Sequence, residues 1–129
     1  MLALVVLAAA CSTSTGGPQH GDTLVIGGQN VEVQGTDDVG GQTAEDVDQI
    51  HDTFDPTVLS GSGGQTLTIT LHNRDQTTHN FSLPQQQIDT DVPPGGTATV
   101  TVTFPANGSL PFFCKYHRRV GMLGVLRAG

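Results

Sequence analysis

From Thr66 to His72 the chain alternates without a fault, with Leu67, Ile69 and Leu71 on one side and Thr66, Thr68, Thr70 and His72 on the other. That period of two is the mark of a half-buried strand. Thr97 to Phe104 repeats it, with Ala98, Val100, Val102 and Phe104 facing inward. His79, Phe81 and Leu83 share one face of a short strand, Leu110, Phe112 and Cys114 share a face of another, and Leu123 to Arg127 supply a last one. Residues 47–59 carry Ile50, Phe54, Val58 and Leu59, with a bend at Pro56. Between these pieces lie turn sequences: Ser60-Gly61-Ser62-Gly63-Gly64, Asn73-Arg74-Asp75-Gln76, Pro93-Pro94-Gly95-Gly96 and Pro105-Ala106-Asn107-Gly108. No stretch shows the 3.6-residue period of a helix. The pattern predicts an all-β domain over residues 47–129, an antiparallel sandwich with Greek-key links.

Upstream the signal weakens. Leu24-Val25-Ile26 and Val31-Glu32-Val33 can pair as a weak hairpin through Gly27-Gly28, and the segment after Gly35 is acidic and Gly-rich. Residues 12–46 therefore read as a flexible tether or as a tether with an extra hairpin. Residues 1–11 form an apolar run ending in Ala8-Ala9-Ala10-Cys11. The run is shorter than the roughly 20 residues a membrane-spanning helix needs and reads as a signal segment. Small residues before a Cys also resemble a lipoprotein cleavage site, with Cys11 as the lipidated residue; an ordinary signal peptide cleaved nearby is the alternative. Either implies export, to the periplasm or the outer face of the cytoplasmic membrane, with a lipid anchor in the first case.

Composition and charge narrow the partners. The 129 residues suit one domain, and the frequency of Thr, Val and Gly fits β structure. The formal net charge is −7, against nucleic-acid binding. Nine of the twelve acids fall between residues 22 and 55, whereas all five basic residues lie at or beyond Arg74. Lys115, Arg118 and Arg119 fall close together and could orient a charged partner; a solvated surface patch is the plain alternative.

The chemistry gathers late in the chain. Period-two counting sends both His79 and Cys114 into the apolar interior. A buried neutral His needs partners for its ring nitrogens, or it costs about 1–3 kcal/mol. If Cys11 is lipidated or removed, Cys114 cannot form an internal disulfide, and it is an inert thiol, an intermolecular bridge or a ligand. The loop Cys114-Lys115-Tyr116-His117-Arg118-Arg119-Val120-Gly121-Met122 offers a thiolate, an imidazole and a thioether, and His79 adds a second imidazole from another strand. Two His, one Cys and a weak axial Met describe a blue-copper electron-transfer site, in which soft sulfur suits Cu(I) and imidazole serves both oxidation states. His72, on the Thr-rich face, and His51, in an acidic stretch, read as ordinary surface histidines.

These residues resemble the cupredoxins of the plastocyanin and azurin kind. The resemblance rests on the Cys-x2-His-x4-Met loop with Phe113 before the Cys, the His79-Asn80 pair, Phe54-x-Pro56-x-x-Leu59, and Gly64, Leu67, Ile69 and Asn73 on the approach to that His. It covers roughly residues 47–129 and implies one copper ion bound by His79, Cys114, His117 and Met122. It implies too that the Asn80 backbone N–H donates to the Cys114 sulfur, that the Asn80 side chain ties the ligand loops together, and that the Thr78 carbonyl lies on the far axial side. The function it implies is non-enzymatic: a monomer that passes single electrons between redox partner proteins, the donor and acceptor being unspecified. The alternative is a protein that buffers copper or delivers it to a cuproenzyme such as an oxidase. Delivery proteins more often use Met-rich or paired-Cys sites, and this chain has two Met. An oxidase reading would need His-x-His pairs, and a binuclear site would need two Cys in the loop; the chain has neither. A zinc site is disfavoured by the Met ligand.

Overall fold

The computed structural model describes residues 17–129. Cys11 and the apolar run before it lie outside them. Twelve strands follow one another among the described residues: β1 (Thr23–Ile26), β2 (Gln29–Glu32), β3 (Thr36–Asp38), β4 (Ala44–Ile50), β5 (Thr53–Asp55), β6 (Val58–Gly61), β7 (Thr66–Asn73), β8 (His79–Leu83), β9 (Ile88–Val92), β10 (Thr97–Thr103), β11 (Gly108–Phe113) and β12 (Leu123–Ala128). One sheet has the order β10-β7-β4-β5 and the other β3-β6-β12-β11-β8-β9.

The two sheets face each other over one core. Val47, Leu67, Ile69, Leu71 and Val102 from the first meet Leu59, Phe81, Leu83, Phe112 and Leu126 from the second, all fully buried. β7 and β10 pair antiparallel along their whole length, from Thr97↔His72 to Thr103↔Thr66, so the two alternating runs put their apolar sides on one face. The expected sandwich is present. It is mixed rather than purely antiparallel, because β4 runs parallel to β7, and β6 runs parallel to both β3 and β12. Those parallel pairs arise where the chain crosses between the sheets instead of turning back on itself.

The acidic segment before residue 47 is built into the sandwich. β4 crosses the boundary placed at that residue, and Val39 and Val47 are wholly buried. The alternation there is hard to see because Gln49, a polar residue, takes an inward position; its Nε2 donates to the Asn80 carbonyl at 3.2 Å. β1 and β2 pair through Gly27-Gly28, with Ile26 opposite Gln29. Both glycines have positive φ, 57° and 81°, as a two-residue type I′ turn requires. Ile26 and Val31 of this hairpin pack on Val58, Leu123 and Val125, forming a second small core on the outer side of the larger sheet.

Candidate metal centre

His79 opens β8 and Cys114 follows β11 directly, and the two strands are neighbours through the pair Phe113↔Ser82. Two positions inward from each donor sits a phenylalanine. Phe81 and Phe112 stack at 4.7 Å between centroids, and Phe54 meets Phe112 edge-on at 4.9 Å. The aromatic cluster fixes the spacing of the two strand ends, and with it the separation of the imidazole from the thiol.

From Cys114 the chain makes a series of tight turns. The His117 N–H donates to the Cys114 carbonyl, the Val120 N–H to His117, and the Gly121 N–H to Arg118. Gly121 has φ 93° and reverses the chain. The Cys114 N–H then donates to the Met122 carbonyl at 3.0 Å, and the Met122 N–H to the His117 carbonyl at 3.2 Å. The loop is thereby closed on itself, with Met122 wholly buried.

The donors converge. His79 Nδ1 lies 3.2 Å from His117 Nδ1, and Cys114 Sγ lies 3.5 Å from the same His117 nitrogen. One ligand atom from each of His79, Cys114 and His117 falls within 4.8 Å of the others. Separations of this size suit donors around one ion with bonds of about 2.0–2.3 Å. His79 and Cys114 are fully buried, while the His117 side chain keeps 23% of its surface exposed. With Met122 these residues form a type 1 copper-like site.

Asn80 is wholly buried and holds the surroundings together. Its Nδ2 donates to Asp89 Oδ1 at 2.8 Å and to Asp91 Oδ1 at 2.9 Å; its Oδ1 accepts from Ser82 Oγ and from the Lys115 N–H at 3.2 Å. The side chain thus links β8, β9 and the ligand loop. Lys115 and Tyr116, inside that loop, reach back to the same two acids: Lys115 Nζ lies 2.9 Å from Asp89 Oδ1, and Tyr116 Oη donates to Asp91 at 2.7 Å. Burial pushes the Cys114 thiol above its ordinary pKa, against the backbone N–H groups of Tyr116, His117 and Asn80, which favour the thiolate. An ion with a positive charge supplies what burial withholds, since a coordinating thiol is deprotonated outright.

Behind the rings lie two carboxylates that the sequence did not single out. His79 Nε2 donates to Asp75 Oδ2 at 2.7 Å, and Asp52 Oδ1 is 3.8 Å from both His79 Nε2 and His117 Nε2. Burial raises the Asp75 carboxyl, but hydrogen bonds from His79 and from the His51 and Asp52 amides outweigh it and hold it below the ordinary carboxylate value. Asp75 lies four residues before His79, inside a stretch whose composition says only turn. Thr78 precedes β8 with its side chain exposed. His72 pairs with Asp46 at 2.8 Å, away from the centre. Arg118 lies over the Phe113 ring at 4.5 Å, and Arg119 is exposed.

A family model described as a cupredoxin-like domain matches residues 1–126. The chain belongs to that family. No curated protein matches the sequence. Solved structures share the fold at low identity. Reduced auracyanin from Roseiflexus castenholzii is 21% identical, with 68% of this chain and 98% of that one covered and a TM-score of 0.56. Auracyanin A, a "blue" copper protein from Chloroflexus aurantiacus, is 20% identical, with 67% and 98% covered and a TM-score of 0.56. The metal-binding domain of the Cu(I)-exporting P-type ATPase CopA of Streptococcus pneumoniae, solved with Cu(I), is 12% identical, with 72% and 96% covered and a TM-score of 0.59.

Proposed function

We propose that the protein is a blue-copper electron carrier in which His79 and His117 through Nδ1, Cys114 through its thiolate and Met122 through its thioether hold one copper ion. The observation that carries this is the meeting of two imidazole nitrogens and a thiol sulfur within 4.8 Å at the end of a rigid sandwich. When bound, copper supplies a one-electron couple between its cuprous and cupric states. The protein does the rest. The sandwich holds the donors in one arrangement, so that little has to move when the charge changes. The buried aromatic cluster and Met122 keep water from the inner side. His117, the donor with an exposed edge, offers the route to a partner. The Thr78 carbonyl would offer the ion a further, weak oxygen contact. The Asn80 N–H, which bears on the Cys114 sulfur, steadies the thiolate.

In this reading the carrier works outside the cytoplasm as a monomer, with Cys11 as its lipid anchor, and Arg118 and Arg119 beside His117 contribute to docking. Lys115 contributes less, since Asp89 holds its charge. The test is an absorption and spin-resonance spectrum of the copper-loaded protein, in wild type and in Cys114→Ser. The wild type is expected to show an intense visible thiolate-to-copper band, absent from the variant; equal spectra would refute the ligand assignment. The second reading, a protein that delivers copper, predicts rapid loss of the ion to a competing chelator, whereas burial of His79, Cys114 and Met122 favours retention.

A further inference from the structure

We infer that Asp75 is a positioning residue for the metal centre, its carboxylate fixing the His79 ring with the proton on Nε2 and Nδ1 free to face the ion. This rests on the copper reading above and extends it to a residue outside the ligand set. The 2.7 Å bond from His79 Nε2 to Asp75 Oδ2 sets the tautomer, because a carboxylate accepts and cannot donate. The carboxylate is itself held. Its Oδ1 accepts from the His51 N–H at 3.0 Å and its Oδ2 from the Asp52 N–H at 3.2 Å. Both residues sit in the left-handed region, at φ 52° and 55°, which non-glycine residues seldom occupy. The Asp75 N–H donates to Asn73 Oδ1 at 2.9 Å, and Asn73 Nδ2 donates to the carbonyls of Thr77 and Val92 at 2.8 and 3.0 Å. The turn that delivers His79 to β8 is thus pinned to β9 and to the β4–β5 turn, and the side chain of Asp75 keeps 18% of its surface exposed.

An anionic acceptor on the far nitrogen makes the near nitrogen a stronger donor. It also places negative charge in a partly desolvated setting close to the ion, where the more highly charged oxidation state gains more. Asp75 therefore favours Cu(II) over Cu(I) and lowers the reduction potential. Asp52, at 3.8 Å from both Nε2 atoms, acts in the same direction with a weaker hold.

The experiment compares the full-length wild type with Asp75→Asn, which keeps the shape and removes the charge. Copper(II) and copper(I) affinities are measured by chelator competition, and the potential by redox titration. The expected result is a loss of Cu(II) affinity of about 10–100-fold, a smaller loss for Cu(I), and a potential raised by about 59 mV for each tenfold difference between the two losses. An unchanged potential in copper-loaded Asp75→Asn, whatever its affinities, would overturn the inference and leave the copper reading standing. A wild-type protein that takes up no copper would sink both. A measurement on the metal-free wild type needs no variant: long-range 15N NMR, at a pH where the ring is neutral, is expected to find the His79 proton on Nε2, and a neutral ring protonated on Nδ1 instead would overturn the assignment.

Discussion

Met122, the proposed thioether donor, serves two structural purposes at once. It is fully buried in the main core cluster, and it closes the ligand loop through its backbone bonds to Cys114 and His117. A thioether is a weak, soft donor that favours the cuprous state, and the axial ligand tunes the potential of such sites. Met122→Gln replaces it with a harder oxygen of similar size. The potential is expected to fall while the copper stays bound, and redox titration checks it; a potential that does not move would mean Met122 is not axial. The meeting of His79, Cys114 and His117 was legible in the sequence because counting by twos sends His79 and Cys114 inward and because the loop spacing is compact. Asp75 and Asp52 were not. A carboxylate in a polar turn looks the same whether it faces water or an imidazole, and only the left-handed pair His51-Asp52 brings the two acids behind the rings.

The ligand loop is the element in which backbone conformation bears most directly on the centre. Gly121 is in the left-handed region at φ 93°, where a Cβ meets the following carbonyl. Gly121→Ala is expected to destabilise the metal-free protein by about 1–2 kcal/mol and to weaken copper binding, since the strain falls between His117 and Met122. Thermal unfolding with and without copper checks it; an unchanged copper affinity would mean the loop absorbs the strain without moving its donors. The strands themselves were visible to different degrees, for physical reasons. β7 and β10 alternate because each has one face on the core and one in water. β8 is buried at all five positions, so its polar residues Asn80 and Ser82 sit where a simple pattern puts solvent. β4 was hidden because it buries Gln49 among outward acids and pairs parallel to a strand some twenty residues on, a contact that no local pattern encodes.

At the scale of the whole molecule, acids and bases are unevenly distributed along the chain. The acids concentrated before residue 56 lie largely on β3, β4 and β5, and burial, together with neighbouring acids, raises the carboxyls of Glu45 and Asp55 above their ordinary values. The end that carries His117 has a different balance. Lys115 is neutralised by Asp89, whereas Arg118 and Arg119 have no ion-pair partner among the described residues. The positive charge that follows His117 in the chain without an ion pair therefore comes from the two arginines, Arg118 packing over Phe113, while Asp52 Oδ1 lies 3.8 Å from His117 Nε2. At an ionic strength of about 0.1 M charges beyond about 10 Å are largely screened, so a small anionic reagent near His117 feels this local pair more than the net charge of −7. Electron transfer from the copper(I) protein to hexacyanoferrate(III) makes the point measurable. In the double variant Arg118→Glu with Arg119→Glu the reaction is expected to be slower than in wild type at low salt. Its rate should also climb more steeply as salt is added, because the repulsion that screening relieves is stronger in the variant than in the wild type. The same rates and the same salt dependence in both proteins would remove the arginines from the path by which a partner reaches the exposed imidazole.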